Sequence, residues 1–143
     1  MSVRLVLCCV IFAAPWAWAA NDAADRAAVD KVIFDLKDAL RTRDQKAVGK
    51  LLAKDTDRAQ LTQELLNLSP ATRDSSKEVW SELSRPVMII NAVRFPERDV
   101  AEVDTMTAQY GPTTTRNSAV VLLLKHEKAG WKIASIRAGP LPR

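Results

Sequence analysis

The sequence predicts a single α+β domain, with helices in the N-terminal half and an antiparallel sheet in the C-terminal half. Three observations support this prediction. Apolar residues recur at helical spacing as far as residue 83, and from residue 87 onward they alternate with polar residues or form short runs. A polar segment that ends in Gly130 joins the last two apolar runs, as in a β-hairpin. Helices followed by strands are typical of helices packed on one face of an antiparallel sheet.

Residues 1–20 have the pattern of a signal peptide. Arg4 is followed by an apolar run at 5–12, and residues 17–19 form a small-x-small cleavage pattern. The apolar run is too short to span a bilayer, and Pro15 lies shortly after its end. We therefore expect a periplasmic or secreted protein with no stable membrane span after cleavage. An uncleaved anchor and a lipoprotein are the alternatives.

Composition restricts the chemistry of the mature chain. Removing 20 residues from 143 leaves 123, enough for one domain with its own core. Cys8 and Cys9 both leave with the signal peptide, so no disulfide, thiolate nucleophile or cysteine-ligated zinc site is expected. Without Arg4 the formal charge falls from +4 to +3, and the basic residues are spread among acidic ones, which predicts a mixed-charge surface and no nucleic-acid partner. We predict no metal and no cofactor.

Four helices are predicted before residue 86. The first, over residues 22–43, has apolar residues at helical spacing: Val29, Val32, Ile33, Leu36, Ala39 and Leu40. Asp44 is the predicted N-cap of a second, short helix. A third helix contains Leu61 and Leu65 and ends before Pro70, and a fourth places Trp80 inward.

The strands form a predicted meander of about four strands. The first two cover residues 87–95 and 100–110, followed by a loop at 111–117. Residues 119–124 are apolar on both faces, as in a strand that loses water on both sides. In the last strand, alternation places Trp131 and Ile133 on one face and Ala134 and Ile136 on the other; we expect residues 139–143 to be a frayed tail.

The order of these motifs resembles that of SnoaL-like domains in the nuclear transport factor 2-like (ketosteroid-isomerase-like) superfamily. Arg43 and Asp44 open a second helix that ends with LLAKD at residues 51–55. VRF at 93–95 is followed, after a turn, by DVAEVD at 99–104, and GWKIASIR at 130–137 looks like the family's last strand.

The resemblance covers most of the domain predicted at residues 21–138. It implies a cone-like fold, in which a strongly curved antiparallel sheet has the N-terminal helices packed on its concave face and a pocket at the wide end. It also implies a homodimer through the outer sheet face.

The sequence departs from the family pattern at residues expected in its enzymes. The region 55–86 has helical periodicity, where family members often have a short strand. The steroid-isomerase branch uses a tyrosine on the first helix, which here has only Phe34 as an aromatic residue. The dehydratase-like branch uses histidine with carboxylate or tyrosine partners, and this chain contains only His126.

Three residues are candidates for catalysis. Asp55 lies nearest to the position of the catalytic carboxylate in the steroid-isomerase branch, although a role as cap of the following helix is the favoured alternative. His126 could act as a general base with Tyr110, or be a solvated residue beside the turn.

Four apolar or aromatic residues and one arginine are predicted to line a ligand pocket, in which the arginine would bind a carboxylate: Trp80, Phe95, Met106, Tyr110 and Arg137. The alternative is that the apolar residues belong to the hydrophobic core and the arginine is exposed. Glu102 and Asp104 share a strand face, where they could bind Ca²⁺ or, as we favour, face arginine or lysine across the sheet.

The sequence leaves two functional hypotheses. The first is an exported, non-catalytic domain that binds a small apolar or carboxylate ligand or serves as a dimeric interaction module. The second is a small cofactor-free isomerase, lyase or hydrolase that uses a pocket carboxylate or histidine.

Overall fold

A computed structural model describes residues 16–68, 87–110 and 115–140 of the chain. The helices are α1 (Trp16–Thr42), α2 (Gln45–Lys50) and α3 (Arg58–Asn67). The strands are β1 (Val87–Glu97), β2 (Val100–Tyr110), β3 (Thr115–Glu127) and β4 (Gly130–Ala138). The predicted α+β class, with helices before strands, is confirmed. The predicted fourth helix, with Trp80, lies outside the described residues.

The four strands form one curved, unclosed sheet in the order β1-β2-β3-β4, and every neighbouring pair is antiparallel. This confirms the predicted meander. Because side chains alternate along a strand, each strand has residues on two faces of the sheet. Val103 lies opposite Val93 on one side and Leu122 on the other, and these residues face the helices. We call this the inner face; the opposite one, which carries Glu102 and Asp104, is the outer face.

The core lies between the inner face and the three helices. On α1, Val29, Ile33 and Leu36 are fully buried, as their helical spacing predicts. They belong to the same apolar cluster as Leu122 and Ile133 of the sheet. Burial of each such side chain contributes roughly 1.5–3 kcal/mol to folding, so this cluster is the main source of stability.

The junction between α1 and α2 is tight. Arg43 has a φ of +52°, and the next amide, that of Asp44, donates to the carbonyl of Ala39 over 2.9 Å. This is the usual way to close a helix with a left-handed residue. The carboxylate of Asp44 then accepts the amide N–H of Ala47 at 3.0 Å, which confirms Asp44 as the N-cap of α2.

The segment after α2 lies along β4, the last strand of the sheet. The amide of Ala53 donates to the carbonyl of Ile133, and the amide of Ile133 donates to the carbonyl of Leu51, both at 2.8 Å. These bonds occupy groups that would otherwise be free at an edge strand. They also fix the linker between α2 and α3 against the sheet.

One predicted face assignment is wrong. Between Leu123 and Leu124 the pairing with β4 shifts by one residue, so Leu124 lies opposite Ile133 and Leu122 lies opposite Ile136. Ile136 therefore packs against the core on the inner face, instead of on the other face with Ala134. The reason is a β-bulge, because one extra residue reverses the alternation beyond it.

Two predicted loop segments also differ. Residues 115–117, predicted as loop, pair with β2 as the start of β3. The turn between β1 and β2 consists of Arg98 and Asp99, since β1 continues through Glu97. At the other end, the amide of Gly139 donates to the carbonyl of Ala119 at 2.9 Å, so the first residue of the predicted tail is hydrogen-bonded to the sheet.

Candidate functional site

Trp131 is a buried residue of β4 that contacts residues of α1, β1 and β3. It is only 4% exposed, and its indole Nε1 donates to the Asp25 carboxylate on α1 at 3.3 Å. Its ring meets those of Phe95 and His126 edge to face, with centroids 5.8 and 5.0 Å away. The contacts connect α1 with three strands, and edge-to-face pairs stabilise beyond the area that they bury.

His126 and Tyr110, two of the catalytic candidates, lie at opposite ends of the sheet. The backbone amide of His126 donates to the carbonyl of Asp99, just before β2 begins, and the side chain is exposed. Tyr110 is the last residue of β2 and pairs with Thr115. Ten residues of strand separate Val100 from Tyr110, about 30 Å along the chain. The structure therefore does not bring His126 and Tyr110 together.

Asp55, the third candidate, is exposed in the linker between α2 and α3. The favoured alternative, that it caps the following helix, is wrong. Asp57 is the N-cap of α3, since its carboxylate accepts the amide N–H of Gln60 at 3.1 Å. Asp57 directly precedes the helix, and its extended backbone suits a cap.

The residues predicted to line a ligand pocket are divided between the two faces of the sheet. Phe95 packs against the core on the inner face. Met106 and Arg137 lie on the outer face, opposite Ala119 and Val121 respectively. Trp80 lies outside the described residues, and only the backbone of Tyr110 is described. Binding of a small apolar or carboxylate ligand on the concave side stays a prediction.

Charged side chains on the outer face are paired with one another. Arg94 donates to both carboxylate oxygens of Asp104, at 2.7 and 2.9 Å, and to Glu102 at 3.3 Å. Arg137 donates to the other oxygen of Glu102 at 3.3 Å. The interpretation that arginine complements these carboxylates across the sheet is confirmed. The hydrogen bond to Asp104, then that to Glu102, raises the pKa of Arg94, which stays charged throughout the neutral range.

Beside these charges the outer face carries an apolar patch, which consists of Ile89, Met106 and Ala119. Ile89 and Met106 are directly paired, as are Met106 and Ala119, so three strands contribute to one surface. Ile89 is 41% exposed. The described helices α1–α3 pack on the other side of the sheet, so none of them covers this patch.

A second surface is a basic cleft of about 480 Å³, where α2 and the start of α3 meet the hairpin of β3 and β4. It is lined by five cationic side chains and one acidic one: Lys46, Lys50, Lys54, Arg58, Lys132 and Glu127. The cleft was not predicted from the sequence. The sequence feature that could have indicated it is a basic residue at every fourth position from 46 to 58, which we interpreted as part of a mixed-charge surface.

Two hydrogen bonds hold the cleft together. The ammonium group of Lys132 donates to the carbonyl of Lys50 at the end of α2, at 2.9 Å. The carboxylate of Glu127 accepts the backbone amide N–H of Lys54 at 2.9 Å. Helix, linker and hairpin are thereby fixed in one arrangement, and the acidic group is already engaged.

The residues that the structure describes contain no group of three or more His, Cys, Asp or Glu side chains able to hold a metal ion. None of their helices is long and apolar enough to cross a membrane.

Comparison with known proteins identifies the fold. No family model matches the sequence, and no curated protein matches it. Among solved structures, a protein named Rd1NTF2_04 with long sheet superimposes with a TM-score of 0.56 at 12% identity, over 77% of this chain and 98% of that one. The fold is NTF2-like. This confirms the fold that the resemblance implies, and the SnoaL-like subtype stays a prediction.

Two further NTF2-like structures superimpose over most of the chain. A substituted form of Rd1NTF2_05 has a TM-score of 0.57 at 12% identity and covers 84% of this chain and 99% of its own. An NTF2-like protein of unknown function from Shewanella oneidensis MR-1 has a TM-score of 0.54 at 10% identity and covers 77% and 98%. At such identities the likeness concerns the fold alone.

Proposed function

We propose that this NTF2-like chain is an exported, non-catalytic interaction module that pairs with a second copy of itself through the outer face of its sheet. The observation that supports this most strongly is the apolar patch. Three strands present Ile89, Met106 and Ala119 on the side away from α1–α3. Apolar surface on a sheet face is stabilised when a second layer covers it.

Charge on the same face favours a second copy over an unrelated partner. The patch is bordered by Arg94 and Arg137 together with Glu102 and Asp104, two cations and two anions. A twofold interface brings the same surface into contact with itself. A face with balanced charges meets no net repulsion in that arrangement, whereas a face of one sign would.

A non-catalytic role is supported by the positions of the polar candidates. Catalysis needs at least two groups that converge on one reacting centre. His126 and Tyr110 lie at opposite ends of β2 and β3, and Asp55 is exposed in a linker. The hypothesis of an isomerase, lyase or hydrolase built on these residues has no such convergence to support it.

The proposal predicts that Met106→Lys disrupts the dimer while leaving the fold intact. The new ammonium group would be buried unpaired at the interface, so the dissociation constant of the dimer should rise about tenfold or more. The measurement is molar mass by light scattering after gel filtration, over a range of concentrations, with circular dichroism as a check on folding. Ile89→Lys, at a more exposed position of the same patch, should act in the same direction.

Phe34→Lys is the matched control. Phe34 is an apolar side chain of α1 that is 69% exposed, on the helical side of the molecule. Its replacement introduces the same charge and should leave the dimer unchanged. A monomeric parent protein, or a dimer that Phe34→Lys dissociates and Met106→Lys does not, would contradict the proposal.

A further inference from the structure

We propose that the basic cleft is a binding site for a small molecule that carries two or more phosphate groups. The site shares no residue with the apolar patch and does not depend on self-association. Its cationic side chains come from α2, the following linker, the first turn of α3 and β4. The two hydrogen bonds that tie α2 and the linker to the hairpin hold these side chains in one place.

The charge of the cleft is large for its size. Five positive charges and one negative charge leave a formal net charge of +4 on the lining residues. The whole chain also has a formal net charge of +4, so the remaining residues sum to zero. Like charges concentrated in a concave site attract counter-ions strongly. The excess charge of the protein is thus concentrated in this cleft.

Four of the cations are available to a ligand. Lys46, Lys50, Lys54 and Arg58 are exposed, and no ion pair with any other described residue engages their side chains. Lys132 is already engaged, since it holds the carbonyl of Lys50. Three lysines and an arginine supply charge-assisted donors, which are the strong hydrogen bonds to phosphate oxygens.

The charge and the shape together indicate the class of ligand. A phosphate monoester carries about −1.5 to −2 charges at neutral pH, so two such groups balance the cleft. A volume of about 480 Å³ lies within the range of small-molecule pockets. Ala129, which is exposed, adds apolar surface beside the cations, suited to a carbon skeleton between phosphates. Among the residues that the structure describes, no aromatic side chain lines the cleft, so none of them supplies the stacking that single-stranded nucleic acids require.

Inorganic tripolyphosphate and pyrophosphate are the probes for a test by isothermal titration calorimetry. We expect saturable one-to-one binding that weakens as sodium chloride is added, because salt screens exposed charges. The double variant Lys46→Ala, Lys54→Ala should weaken the binding of tripolyphosphate about tenfold or more, since each lost ammonium group removes a charged hydrogen bond. Both side chains are exposed, so circular dichroism should show an unchanged fold.

A matched control removes two lysines from α1, in the variant Lys31→Ala, Lys37→Ala. The net charge then falls by the same amount, and binding should change less than about twofold, because neither side chain lines the cleft and salt screens exposed charges outside it. Equal weakening in both variants would show a non-specific charge effect and overturn the proposal. Absence of saturable tripolyphosphate binding would overturn it too. Binding only to phosphatidylglycerol vesicles or to oligothymidine would also contradict it, because those probes belong to a membrane or nucleic-acid surface.

Discussion

Trp131 shows how one residue connects distant parts of the chain. It lies near the end of the sequence, yet its Nε1 bonds Asp25 in the first helix and its ring meets Phe95 of β1. The strand pattern predicted that Trp131 and Ile133 share one face, and both are buried in the core. The partner on α1 was not predictable, because it depends on how the helix crosses the sheet and not on any local spacing.

We expect Trp131→Ala to lower the free energy of unfolding by about 3–5 kcal/mol, the usual cost of a large cavity in a core. Chemical denaturation would measure it. Trp131→Phe keeps a ring and loses the bond to Asp25, so it should cost about 1 kcal/mol. Unchanged stability in Trp131→Ala would mean that the indole is not part of the core.

The sequence predicted the N-cap of α2 correctly and the N-cap of α3 incorrectly. Asp44 was recognised as a cap because it stands directly between two helical patterns, and the structure has it in that role. For α3 the sequence offered two aspartates, Asp55 and Asp57, and the wrong one was favoured. The two residues have the same side chain, and the one that caps is the one that directly precedes the first helical residue, Arg58.

The pair of aspartates therefore provides a test with its own control. Asp57→Ala should destabilise the protein by about 0.5–2 kcal/mol, because the amide of Gln60 loses its acceptor. Asp55→Ala should have an effect near zero, since its side chain is exposed and caps nothing. Thermal denaturation of both variants is sufficient; a larger loss in Asp55→Ala than in Asp57→Ala would contradict the structure.

The predicted bounds of a strand agree with the structure where the strand's own residues determine where it begins and ends. The predicted second strand, 100–110, coincides with β2. The bulge near Ala134 was missed because it arises from pairing with β3, and the residues of β4 alone continue to alternate. The polar start of β3 was missed for a similar reason. Thr115 to Asn117 resemble a loop by composition, yet β2 supplies their hydrogen-bond partners.

At the scale of the whole molecule, the sequence predicted the architecture and missed the basic cleft. Alternating strands after periodic helices are sufficient to indicate helices on one face of a sheet. The cleft was missed because it depends on the contact between α2 and β4. This contact brings Lys132 beside Lys50, although the two residues are far apart in sequence. A basic residue at every fourth position from 46 to 58 was visible, and only the fold shows that these residues line one concavity. Export through residues 1–20 stays a prediction.

In the proposed dimer, one face of each sheet lies in the core of its own chain and the other face meets the second copy. The most direct test is a pair of distances between spin labels in the dimer, with Cys8 and Cys9 first replaced by serine. One label is attached through Ser135→Cys, at an exposed position of β4 opposite Leu123 on the outer face. The other is attached through Lys37→Cys, at an exposed position of α1. We predict that the Ser135 labels of the two copies are much closer together than the Lys37 labels; the reverse order would contradict the proposed pairing.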